Sequence, residues 1–319
     1  MSWLGNDDAP PTRPSGRRST ARTPSASFSN RRGPQAPAPT PTDPSSVPKA
    51  ILTQARTTGR LNLSDRDLAE IPEDVWALSE PEQPSGPVDF SKAGYSSPEF
   101  TELLRFTAAN NLLTSLDPRI VSAFPQLTYL DLRNNRLSQL PLELGELEAL
   151  SIVHLTSNAF DHIPAAILSL PALTELSMPA NAISTIGPGI RQLQLLQTLD
   201  LSSNALTVLP EDLGSLFSLR TLNLSRNHLT HLPGRTFVLS TLTTLILRDN
   251  KVTTLDPEAC TSLRTLDMAN NELTSLPPRL GLCPNLRQVS VDGNRFRIPR
   301  RDILDRGSDA LLEWLRARA

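Results

Sequence analysis

The chain has 319 residues, with 31 basic and 33 acidic side chains, 29 prolines and two cysteines. Two cysteines are too few for disulfide-rich end caps of the kind extracellular repeat proteins carry. No run of about 18 apolar residues is present, so no membrane span is expected.

Residues 1–47 hold nine prolines and six arginines, and Asp7, Asp8 and Asp43 are their only acids. Aliphatic residues are few, so this basic arm buries too little apolar surface to offset the entropy of ordering it, and disorder is expected. It lacks the continuous apolar stretch of a secretory signal. "SGRRSTARTPS" sets Ser19 and Thr20 just behind Arg17-Arg18 and Thr23 just ahead of Pro24. These three are the candidate phosphosites for a basophilic or proline-directed kinase. The arginines could also touch RNA phosphates, but no series of aromatic side chains accompanies them to stack bases.

Residues 48–78 read as a cap. Pro48 opens a helix with Ile51, Leu52 and Ala55 on one face, and "GRLNLSDRDLAEIP" follows as a degenerate copy of a pattern repeated downstream. Residues 79–100, "SEPEQPSGPVDFSKAGYSSPEF", break that pattern. Their length and proline and serine content mark an insertion loop carrying Phe90, Tyr95 and Phe100.

From 101 to 299 the pattern L-x-x-L-x-L-x-x-N-x-L-x-x-L-P recurs nine times, as in "LQTLDLSSNALTVLP" from Leu196 and "LRTLNLSRNHLTHLP" from Leu219. Asparagine keeps the register at Asn111, Asn135, Asn158, Asn181, Asn204, Asn227, Asn250, Asn271 and Asn294, mostly 23 residues apart. This is the leucine-rich repeat pattern, and a period of this size predicts a solenoid in which each copy adds one strand. The fold expected is an α/β-type solenoid, a curved horseshoe with a parallel sheet on its concave face and helical end caps. The asparagines form a structural ladder: each amide has donors and an acceptor for backbone groups that the turn would otherwise bury unpaired. Residues 300–319 supply the last cap, with Ser308 as helix N-cap and Leu311, Leu312 and Leu315 on one face.

No catalytic constellation is expected. His154 and His162 lie three strands from His228 and His231, about 14 Å at ~4.8 Å per strand, and a metal needs convergent ligands. "GPGIRQ" lacks the lysine and the glycine spacing of a phosphate loop. The chain is therefore read as no enzyme, with no cofactor and no metal. Its outward strand positions form stripes, and one neighbourhood in them, Tyr129, Asp131, Arg133, Ile152, His154 and Glu175, mixes an aromatic, an exposed aliphatic and both charge signs, as protein-binding surfaces do. Asp200, Asn223 and Arg248 extend the same candidate surface. Asn62-Leu63-Ser64 and Asn223-Leu224-Ser225 match a glycosylation sequon, but both fall inside strand patterns. Cys260 and Cys283 are expected to be buried and reduced.

The repeats, with L-P at their second turn, resemble the intracellular Ras-group-related repeat proteins. The blocks "VPKAILTQARTTGRLNLSDRDLAEIPEDVW" from Val47 and "DGNRFRIPRRDILDRGSDALLEWLRAR" from Asp292 more closely resemble the leucine-rich repeat-containing protein 40 family, over residues 47–319. The chain departs from animal relatives in having far fewer repeats. The resemblance implies an intracellular binding protein and contributes no catalytic residues. The function expected is a protein–protein interaction scaffold in cytoplasmic signalling, with the nucleus as the alternative location. It is expected to be monomeric on its own, with another protein as partner and with no membrane or nucleic-acid partner. A regulatory subunit of a small GTPase or phosphatase, and an RNA-associated protein acting through the basic arm, are the alternatives.

Overall fold

The L-x-L run of each repeat is long enough for one short strand, and the structure forms one there every time. The computed structural model describes residues 47–79, 101–233, 240–256 and 260–319, all within one unit spanning residues 43–319. The strands are β1 (Arg60–Asn62), β2 (Arg105–Thr107), β3 (Tyr129–Asp131), β4 (Ile152–His154), β5 (Glu175–Ser177), β6 (Thr198–Asp200), β7 (Thr221–Asn223), β8 (Thr244–Ile246), β9 (Thr265–Asp267) and β10 (Gln288–Ser290). They form a single ten-stranded parallel sheet in chain order. The register never slips: Leu130 pairs with Val153, Val153 with Leu176, and Leu176 with Leu199. Each middle residue is buried in the shared core, so a one-residue slip would turn a core leucine outward.

Parallel neighbours require a crossover, and half a repeat provides it. The convex side carries 3-10 turns at Leu142–Glu146, Pro188–Gln192, Glu211–Ser215 and Pro278–Leu282, and short helices at Arg119–Ala123 and Ala165–Leu168. Pro141, Pro164, Pro210 and Pro277 stand at the entry of four of these, with φ between −58° and −74°. Proline locks that φ, which explains the repeated L-P. Leu144, Ile167, Ile190, Leu213 and Leu280 then return from the convex side to the core.

The asparagine ladder joins the two halves. Asn135 donates from Nδ2 to the carbonyls of Ala108 (2.9 Å) and Leu132 (3.0 Å), and its Oδ1 accepts the Leu113 N–H at 3.1 Å. It thus binds its own turn and the preceding one together. Asn204 repeats this with Met178, Leu201 and Ile183, and Asn250 with Leu224, Leu247 and Leu229. The degenerate copy has Arg66 at this position and no earlier repeat to reach back to, so it loses nothing by lacking the amide. The residue before each ladder asparagine is left-handed, from Asn110 (φ 56°) to Asn270 (φ 54°) and Gly293 (φ 73°).

Both sheet edges are covered. α1 (Lys49–Thr58) lies against β1 and ends at Gly59, whose φ of 65° suits glycine and whose absent Cβ would sit 2.6 Å from the Glu102 carbonyl oxygen. At the other end α2 (Arg301–Leu304) and α3 (Ser308–Arg316) follow the last repeat. Here the sequence expectation is corrected: Gly307, at φ 88°, is the N-cap, and no side chain caps the helix. Ser308 instead accepts the Val289 N–H at 2.9 Å and donates to its carbonyl at 3.2 Å. β10 has no eleventh strand to satisfy these backbone groups, and the hydroxyl supplies both bonds in its place. α3 packs so closely on Gly281 that a Cβ there would meet the Arg316 nitrogen at 2.4 Å.

Candidate functional site

The sheet sets the candidate residues in columns. Tyr129, Ile152 and Glu175 begin β3, β4 and β5, and Asp131 and His154 end the first two of these strands. Arg133 and Arg248 lie two residues beyond their strands, so they belong to the strand exits rather than to the strands themselves. Adjacent columns bring Tyr129 opposite Ile152, and Asp131 opposite His154.

From this register a continuous cluster follows. The Tyr129 hydroxyl lies 3.4 Å from Asp131 Oδ2 and 3.3 Å from His154 Nδ1, and the two rings meet edge to face at 5.4 Å. His154 Nε2 donates to Glu175 Oε1 at 3.0 Å. Arg133 grips Asp131 with both arms of its guanidinium, at 2.9 and 2.7 Å. Arg105, one strand earlier in Tyr129's own column, covers the other side of the cluster with its guanidinium 3.9 Å from the Tyr129 ring centroid. Arg105 was not among the residues the sequence pointed to. Its position directly before an aromatic in the same column was the signal.

Asp131 differs from expectation. Expected on the outward stripe, it is only 1% exposed, covered by its contacts with Arg133 and Tyr129. Burial pushes its carboxyl upward, but the Arg133 side chain and N–H donate enough to hold it below the usual carboxylate range. Burial, and then the Asp131 charge, raise the Tyr129 hydroxyl above its ordinary value. Arg133 is raised in turn by its bonds to Asp131. The arrangement is a mutually bonded, mixed-sign surface.

The other candidates stand apart from this cluster. Asp200 and Asn223 bond each other at 3.1 Å, and each turns its Oδ1 back to its own strand exit, to the N–H of Ser202 and Ser225. Asn62, Asp131 and Asp267 do the same for Ser64, Arg133 and Ala269. The acids and amides of this column are therefore turn formers first, which the strand-end position of Asp and Asn could have signalled. Arg248 lies 3.8 Å from both Asp249 and Asp267. Among the described residues no group of three or more His, Cys, Asp or Glu is placed to hold a metal, and no helix is long and apolar enough to cross a membrane. Cys260 and Cys283 are free and buried, with the Cys260 thiol pushed up to about 12 by burial. Ser19, Thr20 and Thr23, and all of the 79–100 insertion except Ser79, lie outside the described residues.

Five overlapping matches to the leucine-rich repeat family model, at residues 125–183, 148–206, 171–229, 217–273 and 240–296, together cover more than half of the chain. A leucine-rich repeat protein of Leptospira interrogans is similar in fold over 80% of this chain and 78% of its own, at 24% identity and a TM-score of 0.51. The Arabidopsis receptor kinase HAESA, solved with the peptide hormone IDA and the co-receptor SERK1, matches 62% of this chain at 25% identity and a TM-score of 0.52. A TDR receptor matches 74% at 25% identity and 0.56. The chain spans 35% and 43% of the lengths of these two receptor chains. The unbroken register, the asparagine ladder and the family match lead to one conclusion: this chain belongs to the leucine-rich repeat proteins.

Proposed function

We propose that the chain is a non-catalytic scaffold that binds a partner protein through β2 to β5 of the concave face. The observation that carries this reading is the cluster of Arg105, Tyr129, Asp131, Arg133, His154 and Glu175. Its side chains are already held by one another, so little rotamer freedom is left to lose on binding. An aromatic flanked by two arginines is the composition in which binding energy concentrates. HAESA, a repeat protein similar over 62% of this chain, is held in its structure with a peptide and a co-receptor. The end blocks that resemble the leucine-rich repeat-containing protein 40 family support an intracellular place for this scaffold, in cytoplasmic signalling.

The test is affinity capture with the intact chain and with a Tyr129→Ala, Glu175→Ala variant. Asp131 is left in place, because it is buried and its loss would strand Arg133. A protein retained by the intact chain and lost by the variant, with the melting midpoint unchanged, is the expected result. Identical capture by both would move the binding surface away from this cluster.

A further inference from the structure

The residue immediately before each strand forms a column along one edge of the sheet. In the first half of the solenoid this column has a structural task. Thr128, Ser151 and Thr174 each donate their hydroxyl to the carbonyl of the same position one repeat earlier, at 3.0 to 3.1 Å. Thr243 does so farther along, to the Arg220 carbonyl at 3.0 Å. At 220, 264 and 287 the column holds arginine instead. All three are exposed, and none forms an ion pair or side-chain hydrogen bond among the described residues. They have replaced a residue type that ties repeats together and return no bond of their own.

A second feature adjoins them. Arg220 lines a groove of about 330 Å³ together with Gln197, Phe217, Ser218 and Thr241. Phe217 is 65% exposed there, and in the corresponding loop one repeat earlier Leu195 is 52% exposed. From two residues before the core leucine to the first strand residue, the described parts of these repeats contain no carboxylate: Gln194–Thr198, Phe217–Thr221, Ser240–Thr244, Thr261–Thr265 and Pro284–Gln288. An apolar anchor point thus stands at one end of a cationic edge whose five described stretches hold no carboxylate.

We infer that this edge is a second docking surface, distinct from the concave cluster, for an acidic, extended segment of a partner protein lying across the strands from β6 to β10, with an apolar side chain in the Phe217 groove. Charge complementarity chooses the occupant. Strands are ~4.8 Å apart, so Arg264 and Arg287 start about 5 Å from each other and Arg220 about 10 Å from Arg264, distances that flexible guanidinium arms can match to side chains ~6.8 Å apart on one face of an extended peptide. A nucleic acid fits less well, because Phe217 is the only aromatic along these five stretches and single strands are held by successive stacked bases.

Fluorescence anisotropy with the full chain tests the assignment. The probe is a labelled peptide of glutamates around a central leucine, with a glutamine analogue and an oligouridylate as competing arms. The glutamate peptide should bind, and the glutamine analogue should bind at least about tenfold more weakly, since each exposed arginine–carboxylate pair contributes roughly a factor of two to three. Replacing Arg220, Arg264 and Arg287 together by alanine should weaken binding by about the same factor. Phe217→Ser should give a smaller loss, and Tyr129→Ala none. All of these side chains except Tyr129 are exposed, and equal melting midpoints establish that the variants fold. Undiminished binding by the triple arginine variant would overturn the proposal. So would loss through Tyr129→Ala, which would place the peptide on the concave cluster, or tighter binding of oligouridylate through the same arginines.

Discussion

The two halves of the sheet share a backbone and differ in what they do with it. From β2 to β5, the strand-first column holds Arg105, Tyr129, Ile152 and Glu175, and with Asp131, Arg133 and His154 most of its polar groups bond across strands. From β6 to β9, the same column is threonine at 198, 221, 244 and 265, which suits a strand without committing to a partner. The arginines of the second half stand one residue earlier, off the concave face. Since the ladder runs through both halves unchanged, the scaffold does not explain the difference. What distinguishes the halves is the set of positions the repeat leaves free.

The largest effects should come from the shared part, and they test whether the halves are structurally equivalent. Asn135→Ala and Asn250→Ala each orphan a buried N–H and the carbonyls of two adjacent repeats. Each should cost about 2–4 kcal/mol, read as a fall in the urea midpoint. Similar losses would uphold the equivalence. A loss confined to Asn135 would mean that the second half is held by something other than its ladder.

Binding comes next. If the first half carries the contact, Tyr129→Ala should weaken a captured partner by about 2 kcal/mol, roughly thirtyfold. Thr221→Ala and Thr244→Ala, at the same position in the second half, should leave it within about twofold. Equal losses from both would erase the distinction drawn between the halves.

A smaller effect concerns the buried carboxylate. Asp131 has a lowered pKa when folded, so it contributes stability above the unfolded value of about 3.9 and loses it as the pH falls through the folded value. The intact chain should therefore lose stability more steeply below about pH 4 than Asp131→Asn, which has no such proton to take up. Parallel acid limbs for the intact chain and Asp131→Asn would show that Arg133 does not hold the carboxylate down.

Much of this was legible in the sequence, and the rest was hidden for identifiable reasons. The 23-residue period fixes the strands, their register and the ladder, because each depends on residue type at a fixed offset. The Asn-Asn doublets at 110, 134 and 270 also showed a second line of bonds, from Asn134 to Asn110, Asn110 to Asp65 and Asn270 to Asp249, which sequence reasoning passed over. Asp131 stands in the column expected, but its burial was not legible, because that depends on where Arg133 and Tyr129 point and the period does not specify it. Ser308 was misassigned because serine at the start of a helix is a strong local signal, while the demand of the β10 edge is set only when the end of the chain packs on it.

The smallest effect bears most directly on the arginine edge. If Arg264 and Arg287 occupy positions where the scaffold prefers a hydroxyl, threonine should be better there for stability alone. Arg264→Thr can donate to the Thr243 carbonyl and Arg287→Thr to the Arg264 carbonyl, the bond that Thr128, Ser151, Thr174 and Thr243 already make. Each bond is solvent-accessible, so the gain should be about 0.5 kcal/mol, near the lower limit of what a denaturation midpoint resolves for one substitution and clearer for the pair. The sign carries the argument. A double variant that is more stable but no longer holds the glutamate peptide would show arginines kept there against the interest of the fold, as residues serving a contact are. A double variant that is less stable would assign the arginines to the scaffold, and the contrast between the two edges would then be one of packing rather than of recognition.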